Sequence, residues 1–373
     1  MKTKTKILFL ITLFLFLTSC GMLVPNPEEK SSSSSLESHT LIISAPAGGK
    51  NSGTPNGYIS VLNKNNGNYA ISANVTEIGK IPQDAALWQN KLYVLQSGSQ
   101  SLLVLNWQNL SIQTEIALGN NTNPYALAIT NSGKAYISNF AAQSLTVVDL
   151  TTNKIMASID LPSGNALASF NSQNPSYACP EGIAYDNNKI YVALTNLEFT
   201  NWFPGGPGLI VVIDVNTDKI IKTITLNHTN PQYLYLNENY PHQLWVSETG
   251  SYDNTGLIEV IDTEKDVITA KINIKGAPGR IAINADGKGF VTDSSWGSGV
   301  RLLSFDANTF TVNNPIQVSA DGWASCLALD KDGHLLVTNS STNEDSLYIL
   351  SATGNIIQGP LNTGDAPMII ISK

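Results

Sequence analysis

Short apolar runs alternate with polar turns along almost the whole chain, and the order in which they recur is fixed. A Pro opens each unit at Pro82, Pro124, Pro180, Pro231, Pro278 and Pro367, with Ala324 in place of one Pro. The gaps between openers are 42, 56, 51, 47, 46 and 43 residues. The first run after each opener mixes large residues with Ala, as in Leu127-Ala128-Ile129 and Ile281-Ala282-Ile283. Such a near-continuous apolar run predicts a strand buried on both faces. A second run pairs an aromatic with a β-branched residue at Tyr93-Val94, Tyr136-Ile137, Tyr191-Val192, Trp245-Val246 and Phe290-Val291, a composition that suits a packed pleated surface. A third run ends in Asp149, Asp214, Asp262 or Asp306, with Asn63 and Asn106 elsewhere, and a fourth is Ile-rich. The Asp or Asn is expected to hydrogen-bond the turn that follows it, rather than to bind metal or catalyse.

A period of four short strands cannot bury both its faces alone, so the units must stack radially. The predicted fold is all-β, a seven-bladed β-propeller of four-stranded antiparallel blades. Residues 40 to 82 supply three strands with no opener, whereas Pro367 to Ser372 supply one strand with nothing after it. Ring closure by the C-terminal strand joining the N-terminal blade reconciles the two and removes exposed sheet edges.

The segments Phe290-Val291-Thr292-Asp293, Leu336-Val337-Thr338-Asn339 and Tyr136-Ile137-Ser138-Asn139 resemble the Tyr-Val-Thr-Asn motif of YVTN-repeat, YncE-like propellers. The resemblance spans roughly residues 40 to 373. It implies the fold and not one function, because that family includes enzymes, binding proteins and surface-layer proteins.

The front end reads differently. Lys2, Lys4 and Lys6 precede the apolar run Ile7 to Leu17, and Leu17-Thr18-Ser19-Cys20 resembles a bacterial lipobox. Residues 1–19 are therefore expected to be a lipoprotein signal peptide. Residues 20–38 would be a lipidated Cys20 and a flexible Ser-rich tether, and 39–373 the propeller domain. The expected location is the cell envelope of a bacterium, at the outer membrane or cell surface, with the N-terminal lipid in the membrane.

Formal net charge is −8, and loss of the three signal Lys takes it to near −11, which argues against nucleic acid as a partner. Cys179 and Cys326 fall on opposite sides of the ring, too far apart to bridge, and are expected free. Four His scattered along the chain leave no clustered zinc site. No motif for haem attachment, a nucleophile elbow or phosphate binding is present. No cofactor or metal is expected, and Asp330-Lys331-Asp332-Gly333 reads as a turn.

In such a ring one face carries only tight turns. The other carries long loops with aromatics: Phe140, Phe170, Tyr177, Phe199, Trp202, Phe203, Tyr252 and Trp296. Loops on a rigid scaffold are where binding usually sits. The channel mouth on that face should collect the residues after each opener, among them Gln83, Asp84, Tyr125, Glu181, Gln232, Tyr233 and Arg280. Glu181 and Arg280 are expected to pair with each other in preference to gripping a ligand.

The function expected is binding of a small-molecule ligand or an envelope protein by the long-loop face, through Phe199, Trp202, Phe203, Tyr177, Tyr252, Trp296, Glu181, Arg280, Tyr233 and Tyr125. An enzyme is not expected. Lactonase-like or quinoprotein-like catalysis and an adhesion or scaffold role are the alternatives. The layout is similar to surface propellers that capture corrinoids for a TonB-dependent transporter.

Overall fold

The computed structural model describes residues 40–45, 56–163, 176–198, 203–252, 254–341 and 345–372. The chain divides into Met1–Ser34, which lies outside the described residues with the signal, Cys20 and most of the tether, and Ser35–Lys373, which is the propeller.

Seven four-stranded antiparallel sheets form a closed ring. The blades are numbered from the N-terminus. In blade 3 the strands are Pro124–Ile129, Lys134–Asn139, Ser144–Asp149 and Lys154–Asp160, from axis to rim. Blade 1 is closed as expected: Pro367–Ser372 is its inner strand and pairs antiparallel with Thr40–Ser44.

In blade 3 the middle strands Lys134–Asn139 and Ser144–Asp149 are buried along most of their length, whereas the outer strand Lys154–Asp160 is largely exposed. The core is seven apolar clusters, each shared by two neighbouring blades. One joins Tyr136 and Val147 of blade 3 to Ile183, Val192 and Val211 of blade 4. Another joins Ile42 and Ile370 of blade 1 to Leu336 and Leu347 of blade 7. A blade alone would expose both of these faces, so burial in the ring is collective.

The third-strand carboxylates cap turns as expected. Asp149 accepts the Thr151 amide at 2.8 Å, and Asp214, Asp262 and Asp306 do the same for their own turns. Asn106 takes that role in blade 2. Two further latches cross between blades on the tight-turn face. Lys134 pairs with Asp218 at 2.9 Å and Lys189 with Asp266 at 2.7 Å, and Tyr136 and Tyr191 donate to the same two carboxylates. The aromatic position of the repeat thus fills the core with its ring and ties the next blade with its hydroxyl.

The inner strands share one irregularity. Register shifts between Pro82 and Asp84, Pro124 and Ala126, Pro180 and Ile183, Pro231 and Tyr233, Pro278 and Ile281, and Ala324 and Leu327. Each is a bulge that frees a residue or two from the ladder and re-aims their side chains. The Ser or Thr in the third place of the Tyr-Val-Thr-Asn motif accepts the released amide. Ser138 takes it from Ala126 at 3.0 Å, Thr292 from Arg280 at 2.9 Å and Thr338 from Cys326 at 2.7 Å. Ser138 and Ser247 also donate to the neighbouring blade, at Glu181 O and Gly279 O.

Candidate functional site at the mouth of the axial channel

The bulged positions converge on the axis. Gln83, Asp84, Tyr125, Gly182, Gln232, Tyr233, Arg280, Ser325 and Met368 line one cavity of about 120 Å³, and together they come from all seven blades. A second cavity of about 340 Å³ lies along the same inner strands, toward the tight-turn face. Its lining is mostly apolar, with Leu234, Ile281, Leu327 and Leu329. Tyr233 and Arg280 border both spaces. Gly182 permits the close approach of blades 4 and 5, since a Cβ there would meet Gln232 O at 2.7 Å.

The charges in this mouth are few and poorly satisfied. Glu181 is only 4 % exposed. Tyr125 hydrogen-bonds its carboxyl, but Oε2 has no partner. Burial pushes its pKa up to about 8, so the carboxyl is mostly protonated at neutral pH. Arg280 lays its guanidinium over the Tyr233 ring, 4.9 Å from the centroid. Its Nε is buried without a hydrogen-bond partner. The expected Glu181–Arg280 pair does not form. The two residues stand two blades apart, and Tyr233 of the intervening blade holds the guanidinium.

Asp84 accepts the amides of Ala85 at 2.9 Å and Leu127 at 3.0 Å. Burial pushes its pKa up, while Arg280 and those amides pull it back. Tyr252 joins the mouth by accepting a hydrogen bond from Gln232 at 2.7 Å, and Tyr125 stacks on Phe140 at 6.0 Å. Burial raises the pKa of Tyr125, Tyr233 and Tyr252, which keeps all three as hydroxyl donors.

Outside the mouth the expected binding residues disperse. Tyr177 lies in a two-stranded ribbon, Ser176–Tyr177 paired with Leu197–Glu198. Phe203 and Trp296 are 58 % and 77 % exposed. Phe199 and Trp202 lie outside the described residues. Sequence reasoning missed Ser325, Cys326 and Met368 at the axis, although each occupies a place after an opener. It also missed Trp323, which is half-exposed beside Gly322.

The long-loop carboxylates meet only in part. Glu248 and Glu259 are both fully buried and face each other, and the d-to-a loop of blade 4 hangs on them. Asn227 donates to Glu259 through its amide and side chain, and the His228 amide donates to Glu248 at 3.0 Å. Burial and the neighbouring Glu259 raise Glu248 to about 9, so it keeps its proton. Asp293 pairs with Arg301. Asp330, Asp332 and His334 are the only metal-like cluster among the described residues. Lys64 already pairs there, 2.7 Å from Asp332, and Asp330 caps its own turn at the Asp332 and His334 amides. Cys179 and Cys326 are both free and buried.

A seven-bladed β-propeller with an enclosed polar mouth on its axis is the class this architecture defines. The chain belongs to the family described as Domain of unknown function (DUF5074), whose model matches residues 48–251. No curated protein matches the sequence significantly. Solved structures do match in shape. A candidate 6-phosphogluconolactonase from Bacteroides fragilis superposes with TM-score 0.66 at 13% identity, covering 92% of this chain and 100% of that one. Virginiamycin B lyase from Staphylococcus aureus gives 0.57 at 17% identity, covering 75% and 84%. Kuenenia stuttgartiensis hydrazine synthase gives 0.58 at 15%, covering 72% and 76%.

These neighbours correct one expectation. The scarcity of clustered His argues against an enzyme from sequence alone. The same ring occurs in a lyase and in a candidate lactonase, so that scarcity does not exclude catalysis. At these identities the likeness shows the fold alone.

Proposed function

We propose that the chain is a lipid-anchored extracytoplasmic binding protein of the YVTN-repeat, YncE-like type, which takes its ligand at the long-loop face and draws it into the axial mouth. The observation that carries this reading is the pair of unsatisfied buried groups there. Glu181 Oε2 and Arg280 Nε lack partners, and a buried polar atom without a partner costs about 1–3 kcal/mol. Arg280 borders the axial cavity and Glu181 directly precedes Gly182, which also lines it. A mouth that leaves such atoms incomplete is shaped for something that completes them.

The anchor rests on Cys20 in its lipobox-like setting, and the Ser-rich stretch behind it gives the reach to meet an envelope partner. Delivery to a transporter such as a TonB-dependent one fits that layout. A corrinoid is far larger than the axial cavity and would have to lie across the loops, with Tyr177, Phe199, Trp202, Phe203, Tyr252 and Trp296 as its platform. Two measurements test the reading. A Cys20→Ser variant should leave the membrane fraction and appear in the soluble one; unchanged fractionation would remove the anchor. Thermal-shift screening against cobalamins and small polar metabolites should find a stabiliser whose effect weakens in an Arg280→Gln variant.

A further inference from the structure

We infer that the axial channel holds a neutral amphiphile: its apolar body lies in the larger cavity along the inner strands, and its polar end offers oxygen acceptors to Arg280 and Tyr235. This inference rests on the binding reading above and adds a ligand class to it.

The larger cavity sets the body. Its volume is about 340 Å³, and sites that enclose a small molecule run from about 300 to 1,000 Å³. Three inner strands wall it with Leu234, Ile281, Ala282, Leu327, Ala328 and Leu329. Leu234, Ala328 and Leu329 are only partly buried, so apolar surface stays open to the channel. An apolar body laid against these side chains takes that surface out of water, which is the driving force of the site. The bulges explain why the polar groups gather at one end. They turn Gln83, Asp84 and Tyr125 into the mouth, while the ladder below them resumes with Leu and Ala.

The polar end is set where the two spaces meet. Tyr233, Leu234 and Arg280 line both. The Arg280 guanidinium lies over the Tyr233 ring, 4.9 Å from its centroid, and a stacked guanidinium keeps its N–H donors at its edge. Tyr235 supplies a second donor on the wall of the larger cavity. Its hydroxyl oxygen accepts the Asn237 side chain at 2.9 Å and the Ile283 amide at 3.2 Å. Two incoming bonds fill the lone pairs, and the hydroxyl proton is the bond left to make. Donors set in an apolar wall select a ligand with carbonyl, ether or hydroxyl oxygens.

The charge count makes the ligand neutral. Asp84 and Arg280 are the only charged side chains that line either space. The Asp84 carboxylate accepts two backbone amides, at 2.9 and 3.0 Å, and attracts Arg280, so the two charges balance. Glu181 lines neither space. An ionic ligand would bring an unbalanced charge into an enclosed site and pay its desolvation there. A neutral ligand leaves the pair intact. The same balance predicts how selectivity should change. Loss of Arg280 leaves a net negative site that favours a cation, and loss of the Asp84 charge leaves a net positive site that favours an anion.

The test uses the full chain carrying Cys20→Ser, purified without detergent so that no micelle competes, with titration calorimetry at neutral pH. Probes are pentan-1-ol, hexan-1-ol, octan-1-ol and octanamide as neutral molecules, and octanoate and octylammonium as ions. The expected result is saturable binding of octan-1-ol and octanamide, at least tenfold tighter than either ion. Affinity should rise about fourfold per added methylene from pentan-1-ol to octan-1-ol. Ala328→Trp places a ring in the larger cavity and should weaken octan-1-ol at least tenfold. Arg280→Gln should make octylammonium the best probe, and Asp84→Asn should make octanoate the best. A wild-type preference for either ion would overturn the neutral site and leave the binding reading standing. Silence of every probe would overturn it too, and a hit in the screen above would then decide the broader reading separately. Octan-1-ol binding that is unchanged in an Ala328→Trp protein with the parent's melting transition would put the probe elsewhere and overturn the channel site. Should that variant fail to fold, the two charge variants decide: a preference for neutral probes in both would overturn the charge balance on which the inference stands.

Discussion

The two ends of the ring treat charge in opposite ways. On the tight-turn face Lys134, Lys189 and Lys64 each pair with a carboxylate of a neighbouring blade, and the carboxylates accept tyrosine hydroxyls as well. At the mouth of the channel Glu181 and Arg280 are left with unpartnered atoms although both are enclosed by protein. The first arrangement is complete in itself and needs no ligand. The second leaves a desolvation cost uncompensated, which a chain selected only for stability would have removed. Polar residues alone therefore do not mark the site. The marker is a charged residue that lacks a partner at the axial mouth, since Tyr93 Oη, Trp245 Nε1 and Glu248 Oε1 are unpartnered elsewhere in the ring.

The largest effect expected concerns the ring that holds both ends. Deleting Pro367–Lys373 removes the inner strand of blade 1 and exposes Ile42 and its neighbours. Loss of Ile369 and Ile370 burial alone is worth about 3–6 kcal/mol, and the opened ring adds unpaired strand edges. Calorimetry should show either no cooperative transition or a drop in Tm of tens of degrees. A truncated chain that melts like the intact one would break the closure.

A direct contrast of the two ends comes next. Asp266→Ala strands the Lys189 ammonium and the Tyr191 hydroxyl, both largely buried, and should cost about 2–4 kcal/mol in urea unfolding. Arg280→Gln leaves Asp84 with its two backbone amides, so it should cost less than the Asp266 change, about 1 kcal/mol. The reverse ranking would mean that Arg280 is a structural group and the comparison fails.

The pH dependence is the subtlest test. Burial raises Glu181 to about 8 and Glu248 to about 9 in the folded state. Unfolding returns both to the ordinary range near 4.5. Between these values the folded chain holds protons that the unfolded chain has released, so stability must fall as pH rises. The contribution is complete below about pH 4.5 and gone above about pH 9. Tm should decline from mildly acidic to alkaline conditions, and Glu248→Gln should flatten part of the decline. A Tm that climbs across this window would show that the two carboxyls are ionised.

Much of the molecule was legible before any coordinates. The openers, the aromatic-Val pairs and the Asp-ended strands gave the blade count. The missing opener at one end and the lone strand at the other gave the closure. Asp149 and its counterparts were rightly read as turn caps. A fixed offset from Pro places the mouth residues on the axis, and Tyr125, Tyr233 and Arg280 do line one cavity there. The pairing of Glu181 with Arg280 was misjudged. Opposite charges in a sequence say nothing about what stands between them, and here Tyr233 does. The proton held by Glu248 was equally invisible, since it depends on two strands and a loop excluding water together. Ser325 and Met368 were not legible as mouth residues, because a hydroxyl or a thioether after an opener carries no charge or aromatic signal of its axial place.

The sequence by itself determined the repeat, the strand order and the closure, because these follow from periodicity and from the need of each blade to bury its faces. Only the tertiary structure decided which polar groups are satisfied. The inner-strand bulges turn side chains toward the axis by breaking register, and a register shift has no signature in one strand read alone. Satisfaction is a property of several blades at once: Glu181 and Arg280 acquire their character from the protein that encloses them and from the partners it withholds.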